Sequence, residues 1–143
     1  MRKGFTMIEL IFVIVILGVL ASVAIPRLAA TRDDAEIAKA ATNITTAISD
    51  ITAYYTAKGK FDSDTKNMTN ALETGGKLKV KSADCATITP SGGTGTDAAK
   101  ITLKITGIDT ACSKLKELSG IKSMCKDDVD NCEITVGGSN VSF

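Results

Sequence analysis

The sequence predicts an α+β chain in which one long N-terminal helix packs, through its second half, on a small antiparallel sheet. Three observations carry that expectation. Phe5 to Ile25 is an almost unbroken apolar run, and a helical period continues beyond Pro26 as far as Tyr55. The C-terminal half divides into short alternating segments punctuated by glycine.

The apolar run counts 21 residues. As a helix it is about 31 Å long, enough for a bilayer core of about 30 Å. Arg2 and Lys3 precede it, which keeps a short leader cytoplasmic and exports the bulk of the chain. A cleaved secretory signal, cut after Ser22-Val23-Ala24, a plain signal anchor and a buried helix of a soluble protein are the competing readings. Glu9 weighs against all three, because a carboxylate in an apolar run is costly in lipid and in a dry core alike. The helix dipole offsets only about 0.3 to 1 kcal/mol of that cost, so a cation should meet Glu9.

Gly4-Phe5-Thr6-Met7-Ile8-Glu9-Leu10, behind a short basic leader and ahead of an apolar helix, resembles the processing site of type IV prepilins and of the related type II secretion pseudopilins. The resemblance implies that prepilin peptidase cuts between Gly4 and Phe5 and methylates the new Phe5 amine, making Glu9 the fifth residue of the mature chain. In the family that glutamate is held to pair with the N-terminal amine of a neighbouring subunit, which supplies the cation. Gly18 and Pro26 fall where type IV pilins carry a glycine and a proline bracketing a stretch that can lose helicity in the filament. The resemblance covers roughly residues 1–35 and is common to pili, pseudopili and DNA-uptake filaments.

It implies a ladle-shaped α+β subunit with no enzymatic role and no cofactor. The implied partners are identical or related pilin subunits, prepilin peptidase, the inner-membrane assembly machinery and, before assembly, the lipid bilayer. The location is the bacterial inner membrane as a single-pass protein, then a periplasmic or extracellular filament. A type IV pilus-like structural subunit is the expected function, and a pseudopilin acting in a periplasmic piston is the alternative. The expected divisions are a leader over 1–4, a transmembrane and filament-core helix over 5–25, its amphipathic continuation over 26–58 and a globular α+β region over 59–143.

Pro26 should kink the helix rather than end it, since both flanks are helix-like. Ile37, Ala41, Ile44, Ile48, Ile51 and Tyr55 then recur on one face, and Gly59 is the end signal. Five threonines between Thr42 and Thr56 are poor helix formers, so this half relies on packing. Residues 60–76 read as a polar connection with a helical turn around Met68 to Leu72. Lys77 to Lys81 alternates like a strand whose lysines form an exposed or edge face. Ala86 to Thr89 and Lys100 to Thr106 form a hairpin around Pro90 to Thr96, a turn and not a phosphate loop, because no Gly-Lys-Ser/Thr ending follows. Asp109-Thr110 caps a helix that Gly120 ends, and Glu133 to Val136 and Val141 to Phe143 are final strands.

Cys85, Cys112, Cys125 and Cys132 lie in a small exported region with no Trp, so two disulfides are favoured over a zinc site. Four cysteines allow three connectivities, of which Cys85 with Cys112 and Cys125 with Cys132 is preferred. The absence of histidine and of any nucleophile pattern disfavours an anchored periplasmic enzyme. Asp127 to Glu133 lacks the glycine and distant glutamate of an EF-hand and reads as a solvated acidic loop, so no metal is assigned. With 17 basic and 16 acidic residues, charge gives no sign of nucleic-acid binding.

Overall fold

The computed structural model describes residues 4–137, so the strand expected at Val141 to Phe143 and the leader residues 1–3 lie outside the described residues. It divides into two units, Met1–Ala35 and Glu36–Phe143. Helix α1, Met7–Lys58, supplies most of the first and opens the second.

In the first unit the helix assignment runs through Pro26 without interruption. Large apolar side chains from Phe5 to Leu28 are exposed throughout. Among the described residues none of these large side chains is buried.

In the second unit α1 buries Ile37, Ala40, Ile44, Ala47 and Ile51, which recur at 3, 4, 3 and 4 residues. The centre of the stripe thus differs from the sequence expectation: Ala41, Ile48 and Tyr55 are only partly buried and flank it. Alanines on the centre line leave space for closely packed neighbours, and the larger flanking residues cover the margins. The exposed threonines are accommodated by back-bonding, since the hydroxyls of Thr42, Thr45 and Thr56 each donate to the carbonyl four residues earlier at 2.8–3.1 Å. The helix ends at Gly59, whose φ of 71° is the left-handed cap conformation and whose N–H donates to the Tyr55 carbonyl at 2.7 Å.

The sheet contains β1 (Lys77–Val80), β2 (Ala83–Ser91), β3 (Ala99–Ile105) and β4 (Cys132–Val136), antiparallel and in sequence order. Alternation places Leu78, Val80, Ala86, Ile88, Ile101 and Leu103 in one buried cluster with the α1 stripe. Each leucine, isoleucine or valine among them contributes about 1.5–3 kcal/mol when fully buried, so this contact holds the unit together. Strand β2 extends through Pro90 and Ser91, which sequence reading placed in the turn. Proline is tolerated there because β1 pairs with β2 only as far as Thr87, so its missing N–H breaks no bond on that side.

The link from α1 to β1 also differs from expectation. Its helical turn is a 3-10 turn at Thr65–Asn67, started by Asp64, whose carboxylate accepts from the Lys66 N–H at 3.0 Å. Met68 and Leu72 are buried without being helical. Gly76 then makes a close approach: its carbonyl accepts from the Ile88 N–H at 2.8 Å, its φ is 74°, and a Cβ there would lie 2.1 Å from the Ile88 carbonyl oxygen.

Two short helices, α2 (Thr110–Glu117) and α3 (Ser119–Met124), connect β3 to β4. Gly120 lies inside α3 and ends nothing; the break falls at Leu118, whose backbone is extended at φ −60° and ψ 129°. Asp109 occupies the cap position of α2, but its side chain makes no capping hydrogen bond. The structure joins Cys85 to Cys112 and Cys125 to Cys132, with Cα separations of 5.1 and 4.8 Å. The first bridge ties β2 to α2, and the second closes the acidic loop before β4.

Candidate processing and assembly site

The segment Gly4 to Thr6 is non-helical, and α1 begins at Met7. Its first backbone bond runs from the Leu10 N–H to the Thr6 carbonyl at 3.1 Å. The Glu9 N–H donates to Thr6 Oγ1 at 3.3 Å, so Thr6 is the N-cap. This residue was not singled out from sequence, although Thr6-Met7-Ile8-Glu9 has the Ser/Thr-x-x-Glu form of a capping box and was legible as one. Phe5, 79% exposed, stands just outside the helix.

Glu9 lies in the first turn of α1, where the helix dipole favours a carboxylate. Among the described residues it has no Lys or Arg partner. Ile8, Ile11, Phe12 and Val15 form an apolar groove along the same part of the helix. A Cβ at Gly18 would meet nothing within 4 Å, so no packing within the chain requires glycine there. Pro26 sits inside α1 and leaves the Ser22 carbonyl without its helical donor. Gly4, Phe5 and Glu9 thus cluster around one helix start, whereas Gly18 and Pro26 lie about three and five turns further along.

The globular unit offers no rival chemistry among the described residues. Lys77 and Lys79, on the exposed side of edge strand β1, face Asp84 at 3.8 Å and Glu73 at 3.1 Å. The hydrogen bond from Lys79 to Glu73 and that carboxylate's charge raise the lysine's pKa, as Asp84 does to a lesser degree. In the acidic loop Lys116 pairs with Asp130, and Asp128 accepts from the Asn131 N–H at 3.1 Å. Among the described residues no group of three or more His, Cys, Asp or Glu side chains converges as a metal site would require. Asp62 is a structural hub: it accepts from the Asp64 N–H at 2.9 Å, the Asn67 amide at 3.1 Å and the Tyr54 hydroxyl at 3.3 Å. These donors, the Asp64 amide first, hold its carboxyl below the ordinary range. Desolvation, then the Asp62 charge, push the Tyr54 hydroxyl up.

An apolar helix long enough to cross a bilayer, with its large side chains exposed, precedes a disulfide-bonded α+β domain, an arrangement compatible with an exported protein held in a membrane by its N-terminus. Residues 1–25 match the family model described as the prokaryotic N-terminal methylation motif, so the chain carries the signal motif of type IV pilins and prepilin-like proteins. That motif supports a pilin-like or pseudopilin-like protein, implies processing by prepilin peptidase and assembly with other pilin subunits, and is compatible with inner-membrane anchoring before assembly. No curated protein and no solved structure matches the chain.

Proposed function

We propose that this chain is a structural subunit of a type IV pilus-like filament. Prepilin peptidase removes residues 1–4, Phe5 is N-methylated, residues 5–25 hold the subunit in the inner membrane and later form the filament core, and residues 59–143 supply the filament surface. The observation that carries the reading is the methylation motif placed on an apolar helix with no cover of its own. In a membrane lipid covers that helix, and in a filament other subunits do. Because the two contacting surfaces of each subunit differ, repetition generates an open helical polymer.

Glu9 supplies register in this scheme. Before the cut the Phe5 nitrogen is an uncharged amide, so cleavage creates the cation that a neighbour's Glu9 then meets. Gly18 and Pro26 allow the intervening helix to loosen during assembly, at a helix-propensity cost of about 1 kcal/mol for the glycine.

Mass measurement of the mature chain, joined to electron microscopy of sheared surface material, tests the proposal. A methylated chain beginning at Phe5 and fibres lost on gene deletion are expected. A chain beginning at Ile25, cut after Ala24, would reject it, and a secretion defect without fibres would transfer the subunit to a secretion piston.

A further inference from the structure

The chain has two candidate helix starts near the Gly4–Phe5 bond. Gly4 and Thr6 are the residues with N-cap preference ahead of Met7. They differ in what they do to the Gly4 carbonyl, because an N-cap carbonyl accepts the first helical hydrogen bond. With Gly4 as cap, that carbonyl would accept from the Ile8 N–H and Phe5 would be the first helical residue. The structure selects Thr6 instead: Oγ1 accepts from the Glu9 N–H at 3.3 Å, the Thr6 carbonyl accepts from the Leu10 N–H at 3.1 Å, and the Gly4 carbonyl accepts no helical bond among the described residues.

We propose that Thr6 is a positioning residue for processing, whose hydroxyl caps α1 two residues beyond the scissile bond and thereby keeps the Gly4–Phe5 peptide extended and its carbonyl free for attack. The inference rests on the reading of the chain as a prepilin-peptidase substrate. Hydrolysis adds the oxygen of water to the Gly4 carbonyl carbon, breaks the carbon–nitrogen bond and leaves the proton on the Phe5 amine. A carbonyl locked in a helical turn resists this step twice, because it must give up its hydrogen bond and because a peptidase cleft binds extended chain. The setting sharpens the choice. Near a bilayer few waters satisfy free backbone groups, so a helix without a fixed cap gains by extending over them. Thr6 stops that extension with a side-chain acceptor.

The test uses full-length precursor in lipid vesicles with purified prepilin peptidase, followed by the initial rate of conversion to the chain that begins at Phe5. Thr6→Ser and Thr6→Asn, which keep a capping oxygen, should be cut within two-fold of wild type. Thr6→Ala and Thr6→Val should be cut about five-fold more slowly, the population shift that a typical N-cap controls. Backbone chemical shifts in micelles should show Phe5 turning helical in the slow variants only, a readout that a mere contact with the peptidase would not move. Wild-type rates for Thr6→Ala and Thr6→Val, or slowing by Ser equal to that by Ala, would overturn the proposal. Slow cleavage with Phe5 unchanged would also overturn it. Wild-type precursor left uncut at Gly4–Phe5 would overturn the substrate reading and this inference with it.

Discussion

Replacing Gly76 by alanine should destabilise the globular unit far more than the same change one residue earlier. Both glycines have left-handed backbones, with φ of 79° at Gly75 and 74° at Gly76, so each substitution incurs the conformational cost of about 1–2 kcal/mol. The surroundings differ. A Cβ at Gly75 meets nothing within 4 Å, while one at Gly76 would lie 2.1 Å from the Ile88 carbonyl oxygen. Relief of that overlap must move the segment off β2 and break the Ile88 N–H to Gly76 carbonyl bond of 2.8 Å. Losing the bond costs a further 0.5–1.5 kcal/mol or about that, and more if the buried amide finds no other partner. The expected totals are about 1–2 kcal/mol for Gly75→Ala and about 1.5–3.5 kcal/mol for Gly76→Ala. At roughly 4–8 °C per kcal/mol for a domain of this size, the two melting temperatures should differ by about 2–12 °C. Thermal unfolding of full-length protein in detergent, followed by circular dichroism with both disulfides intact, measures this. Equal losses for the two variants would refute the close-approach argument, and no loss for either would refute the backbone argument as well.

Further expectations follow from the bridges, the helix start and the Asp62 hub. Replacing Cys85 and Cys112 together should cost about 3.5 kcal/mol and replacing Cys125 and Cys132 about 2.5 kcal/mol, because the first pair closes a loop of 27 residues and the second one of 7; denaturant midpoints in the reverse order would contradict the chain-entropy account. Glu9→Gln should be processed and inserted normally yet assemble poorly, and sheared filaments at wild-type yield would end the charge-pairing idea. Asp62 has a depressed carboxyl pKa in the folded chain, so its contribution is present above the ordinary carboxylate pKa of about 4 and is lost as pH falls through the folded value. Asp62→Asn should therefore flatten the acid limb of the stability curve, and an unchanged limb in urea titrations below pH of about 4 would count against that role.

The parts of the fold carried by strong periodicity were legible in the sequence. Ile37, Ile44 and Ile51 marked the packed face of α1, and Leu78 with Val80 marked β1. Ala40 and Ala47 were missed as its centre because alanine gives little contrast in a hydrophobic pattern, although it is the residue that permits close packing. The 3-10 turn at Thr65–Asn67 was placed three residues late, since the side-chain bonds of Asp62 and Asp64 that create it leave no periodic trace. Gly120 looked like a stop because it comes just after the apolar face that ends at Leu118, but the chain turned two residues earlier through an extended leucine. At the helix start, Glu9 stood out by the cost of a carboxylate in an apolar run, whereas Gly4 and Phe5 were legible only through the resemblance to prepilins. The capping role of Thr6 is less visible, because the threonine lies inside the same motif as those residues. The cysteine pairing depended on tertiary structure, as only the sheet brings Cys85 beside α2.

The turn between β2 and β3 is less uniform than its composition. Gly92 is pressed against Ala98, where a Cβ would come within 2.3 Å of the carbonyl oxygen. Gly93 rests on the Tyr55 ring, where a Cβ would approach Cε2 to 2.6 Å, and Tyr55 in turn stacks on Phe61 at 4.7 Å between centroids. Gly95 faces open space. One side of the turn is therefore a clasp over the end of α1, and the other is free. A foreign epitope spliced between Thr94 and Thr96 would project outward without disturbing the aromatic pair, while the same splice before Gly93 would pry the clasp open. In the proposed filament such a graft would be displayed once per subunit.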